Sequence, residues 1–266
     1  MTSSAPPALH LSMAQLASAD IKAVCLLLGP TVIVSVASDA SGAVVASQQY
    51  LQRAGAPEWE PSFMENVLKQ DPLLRSAKGK GTAFIADARQ LLIPDELYAE
   101  AEVPLWFSAC YLHTPDEPLL QARVPGVTYR LIGALPESCN AFLKSQKENF
   151  KPLPLGISLL RMPPASGALA QLTVFGGTAF GALYAAGGLK EGFACTDTNG
   201  VELAYNLKRL CKKHGLPESS LLLRCNALTE ADRELTGEMR SYFPESASDG
   251  DDDSVLSSLM RVCACA

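Results

Sequence analysis

Residues 172–225, LTVFGGTAFGALYAAGGLKEGFACTDTNGVELAYNLKRLCKKHGLPESSLLLRC, decide how this chain folds. A short apolar run at 172–175 meets Gly176-Gly177 and resumes at 179–186, and Gly187-Gly188 turns the chain into a third strand ending near Cys195. Glycine pairs between β-rich runs are hairpin signals, because glycine reaches positive φ without steric cost. Asn199 stands where a helix N-cap belongs, with Glu202 three residues on, resembling a capping box. Leu203, Leu207, Leu210 and Cys211 recur at helical spacing as a buried stripe, and Gly215 and Pro217 close the helix. Residues 220–225 read as a buried strand. The order is strand, turn, strand, strand, helix, strand, and a looser copy runs from Val24 to Ala86. Two such units predict two lobes facing a cleft, an architecture suited to holding a nucleotide.

In the looser copy, the apolar run 23–28 ends at Gly29-Pro30, β-branched residues fill 31–37, and a turn at Asp39–Gly42 leads into a third strand at 43–50. Residues 61–70 read as a helix, with Phe63, Met64, Val67 and Leu68 at helical spacing, Pro61 in the first turn and Pro72 as the stop. A Lys78-Gly-Lys80 loop and a strand at 82–86 complete it. Between the copies, Pro94 is expected to open a short helix after a strand end. Residues 105–112 read as a strand, 114–125 as a proline-punctuated connection and 129–135 as a strand. A helix is expected over 136–150, with Cys139, Phe142, Leu143 and Phe150 along one side, and a strand over 155–160 before a lobe boundary near Pro163-Pro164. Thr229 caps a last helix, with Asp232 at the third position, Leu228 as a hydrophobic staple and Leu235, Met239 and Phe243 on the buried face. The expected organisation is a flexible N-terminus (1–20), lobe one (21–160), lobe two (161–244) and an acidic disordered tail (245–266).

With 266 residues, 48% of them hydrophobic, the chain has material for one large or two moderate cores. No apolar run reaches bilayer length, and residues 1–7 lack the basic segment of a secretory signal. The expected setting is cytoplasmic, with no membrane partner. The net charge is −6, but Glu245, Asp249, Asp251, Asp252 and Asp253 supply five of the acids, leaving the body nearly neutral. That balance argues against broad phosphate-backbone binding, so a nucleic-acid partner is not expected. Lys208, Arg209, Lys212 and Lys213 form a local basic face whose simplest reading is a solvated helix surface. Of eight cysteines, Cys25, Cys110, Cys211 and Cys225 fall in apolar patterns and read as buried hydrophobes in a reducing compartment.

The candidate phosphate turns are Gly29 and Thr31 in lobe one and Gly176, Gly177 and Thr178 in lobe two. Amides at a glycine turn can cradle a phosphate when an acid beside them holds a metal or water. Here the acid position is Val174 in one turn, and the other reads Leu28-Gly29-Pro30, whose proline also removes a donor. A plain tight hairpin is the favoured reading of the Gly176–Gly177 turn, and phosphate binding at the other is not expected. Asp39, Asp87 and Asp197 are the acids an active alternative would have to recruit, with ATP and Mg as cofactors; otherwise no cofactor and no metal site are expected. His10, His113 and His214 are too scattered for a metal site, and neither a nucleophile elbow nor a P-loop occurs. Cys263 and Cys265 at the end read as part of a frayed terminus.

The repeated order resembles the ribonuclease H-like lobes of actin, Hsp70 and sugar kinases. Residues 91–98 (LLIPDELY), 129–137 (YRLIGALPE) and 201–223 are more specifically similar to the bacterial domain-of-unknown-function family 3822, whose members adopt an actin-like ATPase fold. The type IV pilus actin-like proteins are similar in layout. The resemblance implies an α/β protein of two ribonuclease H-like lobes, each a mixed sheet plus helices. It also implies an Asp-x-Gly turn in each lobe and a Gly-Gly turn after a late strand. This chain departs at all three, since residues 221–223 run into Arg224-Cys225-Asn226. The expected protein is therefore an actin-like module without ATPase activity that binds or scaffolds an unidentified protein; the alternative is an ATPase or phosphotransferase of the same superfamily.

Overall fold

The computed structural model describes residues 21–41, 43–76, 81–123, 127–146, 150–159, 167–185, 188–196, 199–227, 229–244 and 247–248. The expectations for residues 1–20, Gly42, Lys78-Gly-Lys80, Pro163-Pro164, Gly187, Asp197, Leu228, Cys263 and Cys265 lie outside them. The described chain divides into two compact units, each built from two stretches: 21–85 with 136–153, and 86–135 with 154–248.

The first unit opens with β1 (Ala23–Leu28), β2 (Val32–Ser38) and β3 (Val44–Leu51), an antiparallel meander. Every residue of β2 is buried, which explains its unbroken apolar and small composition. Helix α1 (Pro61–Gln70) buries Met64 and Val67 and is stopped by Asp71, whose Oδ1 accepts from the Leu73 and Leu74 amides at 2.7 and 3.1 Å and so caps α2 (Pro72–Ser76). The other Asp71 oxygen accepts from the Ser35 hydroxyl at 2.5 Å. Burial, reinforced by Asp71, pushes the Tyr50 phenol up to about 12. Strand β4 (Gly81–Ile85) returns parallel to β1.

The chain continues through β5 (Gln90–Pro94), α3 (Val103–Cys110), β6 (Leu119–Arg123) and β7 (Tyr129–Ala134), then α4 (Glu137–Ser145) and β8 (Phe150–Pro154). Strand β8 joins the first sheet, whose order is β3-β2-β1-β4-β8. Strands β5, β7 and β6 form a separate antiparallel sheet backed by Val103 and Phe107 of α3.

The second unit also contains β9 (Ala168–Phe175), β10 (Thr178–Ala185), β11 (Gly188–Cys195), α5 (Gly200–Lys213), β12 (Leu221–Ala227), α6 (Glu230–Ser241) and β13 (Ala247–Ser248). Its sheet runs β11-β10-β9-β12-β13, with β12 parallel to β9 and the rest of the meander antiparallel. This is the order of the first sheet repeated, three antiparallel strands and then a parallel one, as the duplicated pattern predicts. The α5 stripe of Leu203, Leu207, Leu210 and Cys211 is buried in one cluster with Leu172, Val174, Leu223 and Met239. Strand β13 pairs with Leu222 and Leu223 inside the stretch expected as tail.

Several expectations for the middle of the chain need correction. Residues 105–112 are not a strand, because Pro104 fixes a helical first turn and Val103 and Phe107 bury one turn apart. The connection at 114–125 contains β6, whose alternation of buried Leu120 and Ala122 with exposed Gln121 and Arg123 has the period of two that the prolines obscured. Pro94 ends β5 and leads into a turn rather than opening a helix. The helix expected to reach Phe150 stops at Ser145, and Phe150 begins β8. The strand expected at 155–160 is a 3-10 turn over Leu155–Leu159. Strand β8 precedes it and carries Pro152 and Pro154, tolerable because it is an edge strand. Cys110 is exposed, whereas Cys25, Cys211 and Cys225 are buried as expected.

Helix phase gives the sharpest check on packing. Leu207 is 1% exposed, so Leu207→Ala should lower unfolding free energy by about 2–5 kcal/mol. Lys208, one residue on, pairs with Glu218 at 2.9 Å on a half-exposed surface, and Lys208→Ala should cost about 1 kcal/mol or less. Urea denaturation of both variants measures the difference, and equal costs would refute the assigned phase.

Candidate functional site

The hairpin between β9 and β10 closes at the Phe175–Thr178 pair, leaving Gly176 and Gly177 as a two-residue turn with φ of 59° and 78°. Positive φ at both positions is what a tight hairpin following the strand twist requires, and it explains both glycines. The turn leaves its two amides without a ladder partner, and a carboxylate from another element meets them. Asp232 of α6 accepts from the Gly176 amide at 3.2 Å and the Gly177 amide at 3.4 Å. The same carboxylate accepts from the Thr229 amide at 3.0 Å, while the Thr229 hydroxyl accepts from the Asp232 amide at 3.2 Å, a complete capping box. Asp232 is only 2% exposed. Three backbone donors thus converge on one internal acid at the turn that the sequence offers as a phosphate candidate.

A second carboxylate of α6 repeats the arrangement. Glu238 accepts from the Gly200 amide at 2.9 Å, at the first residue of α5. A Cβ on Gly200 would meet the Glu238 side chain at 2.5–2.7 Å, so glycine is there to admit it. Asn199 accepts from the Glu202 amide at 2.9 Å, so α5 begins with its leading donors satisfied by protein groups.

In the first unit, Gly29 and Thr31 lie in the β1–β2 turn. The Gly29 amide donates to the Val32 carbonyl at 2.8 Å, and the Pro30 and Thr31 carbonyls accept from the Trp59 and Gln52 amides at 2.9 and 2.8 Å. Trp59 is held at φ 56° to reach Pro30, a left-handed conformation costing about 1–3 kcal/mol in a bulky residue. Hydrogen bonds to neighbouring loops therefore pin this turn. The structure brings Gly176, Gly177 and Thr178 together on one turn and Gly29 and Thr31 on the other, each within its own unit.

Asp39 and Asp87, the described acids that an active site would have to recruit, have other partners. Asp39 accepts from the Ser41 amide and hydroxyl at 2.8 and 2.6 Å, an Asx turn. Asp87 and Glu117 clamp Arg89 at 2.7 and 2.6 Å, and the Asp87 bond is the main reason the guanidinium is held even more firmly protonated than usual. The late strand after which a Gly-Gly turn was implied continues as β12 through buried Asn226, whose amide nitrogen lies 3.5 Å from the Thr173 hydroxyl. Among the described residues no group of three metal-ligating side chains converges. The basic face of α5 is partly neutralised: Lys208 meets Glu218, and Lys213 and His214 meet Glu191 at 2.6 and 3.0 Å. Lys213, seconded by His214, lowers the Glu191 pKa below the usual range.

Sequence reasoning missed two features. Asp232 was legible as a cap, but its second task across the β9–β10 turn joins residues 55 or more apart and has no local signal. A cavity of about 350 Å3 also lies in the second unit, bordered by Leu92, Tyr129 and Leu131 on one side and Phe180, Leu189 and Phe193 on the other.

No protein-family model matches the sequence, and no curated protein matches it. Solved structures do resemble it. A protein of unknown function with an actin-like ATPase fold, from Bacteroides thetaiotaomicron, is 13% identical over 92% of this chain and 97% of its own, with a TM-score of 0.75. One from a PilM–PilN type IV pilus biogenesis complex is 14% identical over 92% and 99%, with a TM-score of 0.58. The cytoplasmic domain of EpsL, an inner-membrane component of the type II secretion system of Vibrio cholerae, is 14% identical over 90% and 94%, with a TM-score of 0.52. No helix among the described residues is long and apolar enough to cross a membrane. The repeated sheet order and these likenesses together give the chain the actin-like ATPase fold, with its two ribonuclease H-like lobes.

Proposed function

We propose that this chain is a catalytically silent, actin-like binding module of the bacterial cytoplasm, similar in kind to domain-of-unknown-function family 3822, that scaffolds another protein. The observation that carries the reading is the Asp232 carboxylate seated on the Gly176 and Gly177 amides. A nucleotide phosphate would have to displace a buried acid already bonded to three donors, and would bring negative charge against it. Glu238 does the same at the start of α5. In the first turn Pro30 lacks a donor and the Gly29 amide is spent within the hairpin. Phosphoryl transfer also needs carboxylates free to hold a metal. Asp39 and Asp87 are engaged in a turn and an ion pair.

The protein-binding half of the reading draws on the neighbours. The PilM structure is a complex with PilN, and EpsL is a component of a secretion system. One fold can carry many functions, so an actin-like fold without nucleotide chemistry can still serve as a binding scaffold.

Two measurements test the reading. Mg-ATP at millimolar concentration should leave the melting temperature unchanged and show no turnover above background. A Mg-dependent turnover abolished by Asp39→Ala would overturn the proposal, as would a nucleotide that copurifies. Asp232→Ala should destabilise the fold by about 2–3 kcal/mol in urea, because three backbone donors lose a charged acceptor. A near-neutral effect would mean that the carboxylate is not what organises the turn.

A further inference from the structure

Helix α3 is apolar nearly all round, as VPLWFSAC shows, yet only Val103 and Phe107 are buried. A helix of that composition belongs inside a protein or under a partner. Leu105 is 70% exposed on its outer side, Leu112 just past its end is 92% exposed, and Leu97 is 58% exposed. Leu97 precedes Tyr98, which packs on the same cluster as α3. Isolated exposed leucines are ordinary, but here Leu105 on an uncharged helix, Leu112 just past its end and Leu97 beside a residue packed on the same cluster are all exposed.

The charge around the patch is mostly negative, although the Arg89 guanidinium donates to the Leu112 carbonyl at 3.2 Å and Arg130 stacks on Tyr98. Residues 90–122 contain six acids and no Lys or Arg. Asp95 pairs with Arg123 and Arg130, and Glu117 with Arg89. Glu96, Glu100, Glu102 and Asp116 remain, all exposed and with no ion pair among the described residues. Two of them, Glu100 and Glu102, sit in the 3-10 turn that leads directly into α3. The result is an apolar helix face fringed by uncompensated carboxylates.

We infer that α3 and its acidic fringe are the docking site for a cationic amphipathic helix of a partner protein, whose apolar face covers Leu105 and Leu112 while its Lys or Arg residues meet Glu96, Glu100, Glu102 and Asp116. The inference rests on the binding-module reading and supplies its surface and partner chemistry. Apolar burial would provide most of the affinity, and the carboxylates would select the sign of the partner and speed its approach. A neutral or acidic helix would leave the fringe unpaired and is disfavoured.

The test uses the full chain and two labelled synthetic helices. Both carry leucines on one face, and the other face is lysine in one and glutamate in its twin. By fluorescence anisotropy the lysine helix should bind with a dissociation constant on the order of micromolar. That affinity should weaken several-fold when salt rises from about 0.05 to 0.3 M. The glutamate helix should not bind. Leu105→Ser with Leu112→Ser, and separately Glu100→Lys with Glu102→Lys, should each weaken binding by about tenfold or more. All four residues are exposed, and unchanged melting temperatures would confirm intact folds. Replacing Asp251, Asp252 and Asp253 with Asn should change nothing. Equal binding of the two helices, indifference to the surface variants or loss of binding in the tail variant would each overturn the inference. So would a dimer in light scattering that Leu105→Ser dissolves, since a second copy would then be the occupant. ATP turnover would defeat the silent-module reading without altering the helix result, and failed helix binding would leave the nucleotide argument standing.

Discussion

One carboxylate, Asp232, organises the second unit. It closes the capping box of α6 and holds the Gly176–Gly177 turn, so it fixes helix and sheet relative to each other from inside the core. A buried acid is costly unless its oxygens are satisfied, and here backbone amides do so, with no basic side chain bonded to it among the described residues. The same bonds give the glycine turn an occupant. In the proposed reading one group has both tasks: the acid that stabilises the turn is also what would exclude a phosphate from it. Glu238, six residues along α6, extends the principle to the start of α5.

The first unit reaches a similar end by other means. Among the described residues no acid bonds its turn, which is pinned by main-chain bonds from Gln52 and Trp59. Its buried acid, Asp71, works elsewhere, joining the start of α2 to Ser35 on β2. The two sheets share a strand order but not the devices that stabilise their turns. Duplicated topology therefore says little about duplicated chemistry, and each turn has to be judged from its own hydrogen bonds.

Wherever a signal was local, the sequence was legible. The stripe of α5, the caps at Asn199 and Thr229, the Gly176–Gly177 hairpin and the β1–β3 meander all follow from spacing and turn chemistry within a few residues. Failures cluster in residues 93–160, where prolines punctuate strands and helices alike. Pro104 starts a helix, Pro94 ends a strand, and Pro152 and Pro154 sit within an edge strand. Composition alone cannot separate those roles, because edge placement is a property of the sheet. The candidate turns were located correctly as turns. What fills the Gly176–Gly177 turn was not readable, because Asp232 reaches it across 55 or more residues, just as Glu238 reaches Gly200 across 38.

The acidic fringe of α3 also bears on how the free protein behaves in bulk. Uncovered leucines would make copies adhere, and four exposed carboxylates around them keep the copies apart by mutual repulsion. That protection weakens as added salt screens the charges. At high salt the same surface becomes adhesive, which turbidity measured against salt concentration would register. The colloidal stability of this protein is thus set by a few surface charges, separately from the stability of its fold.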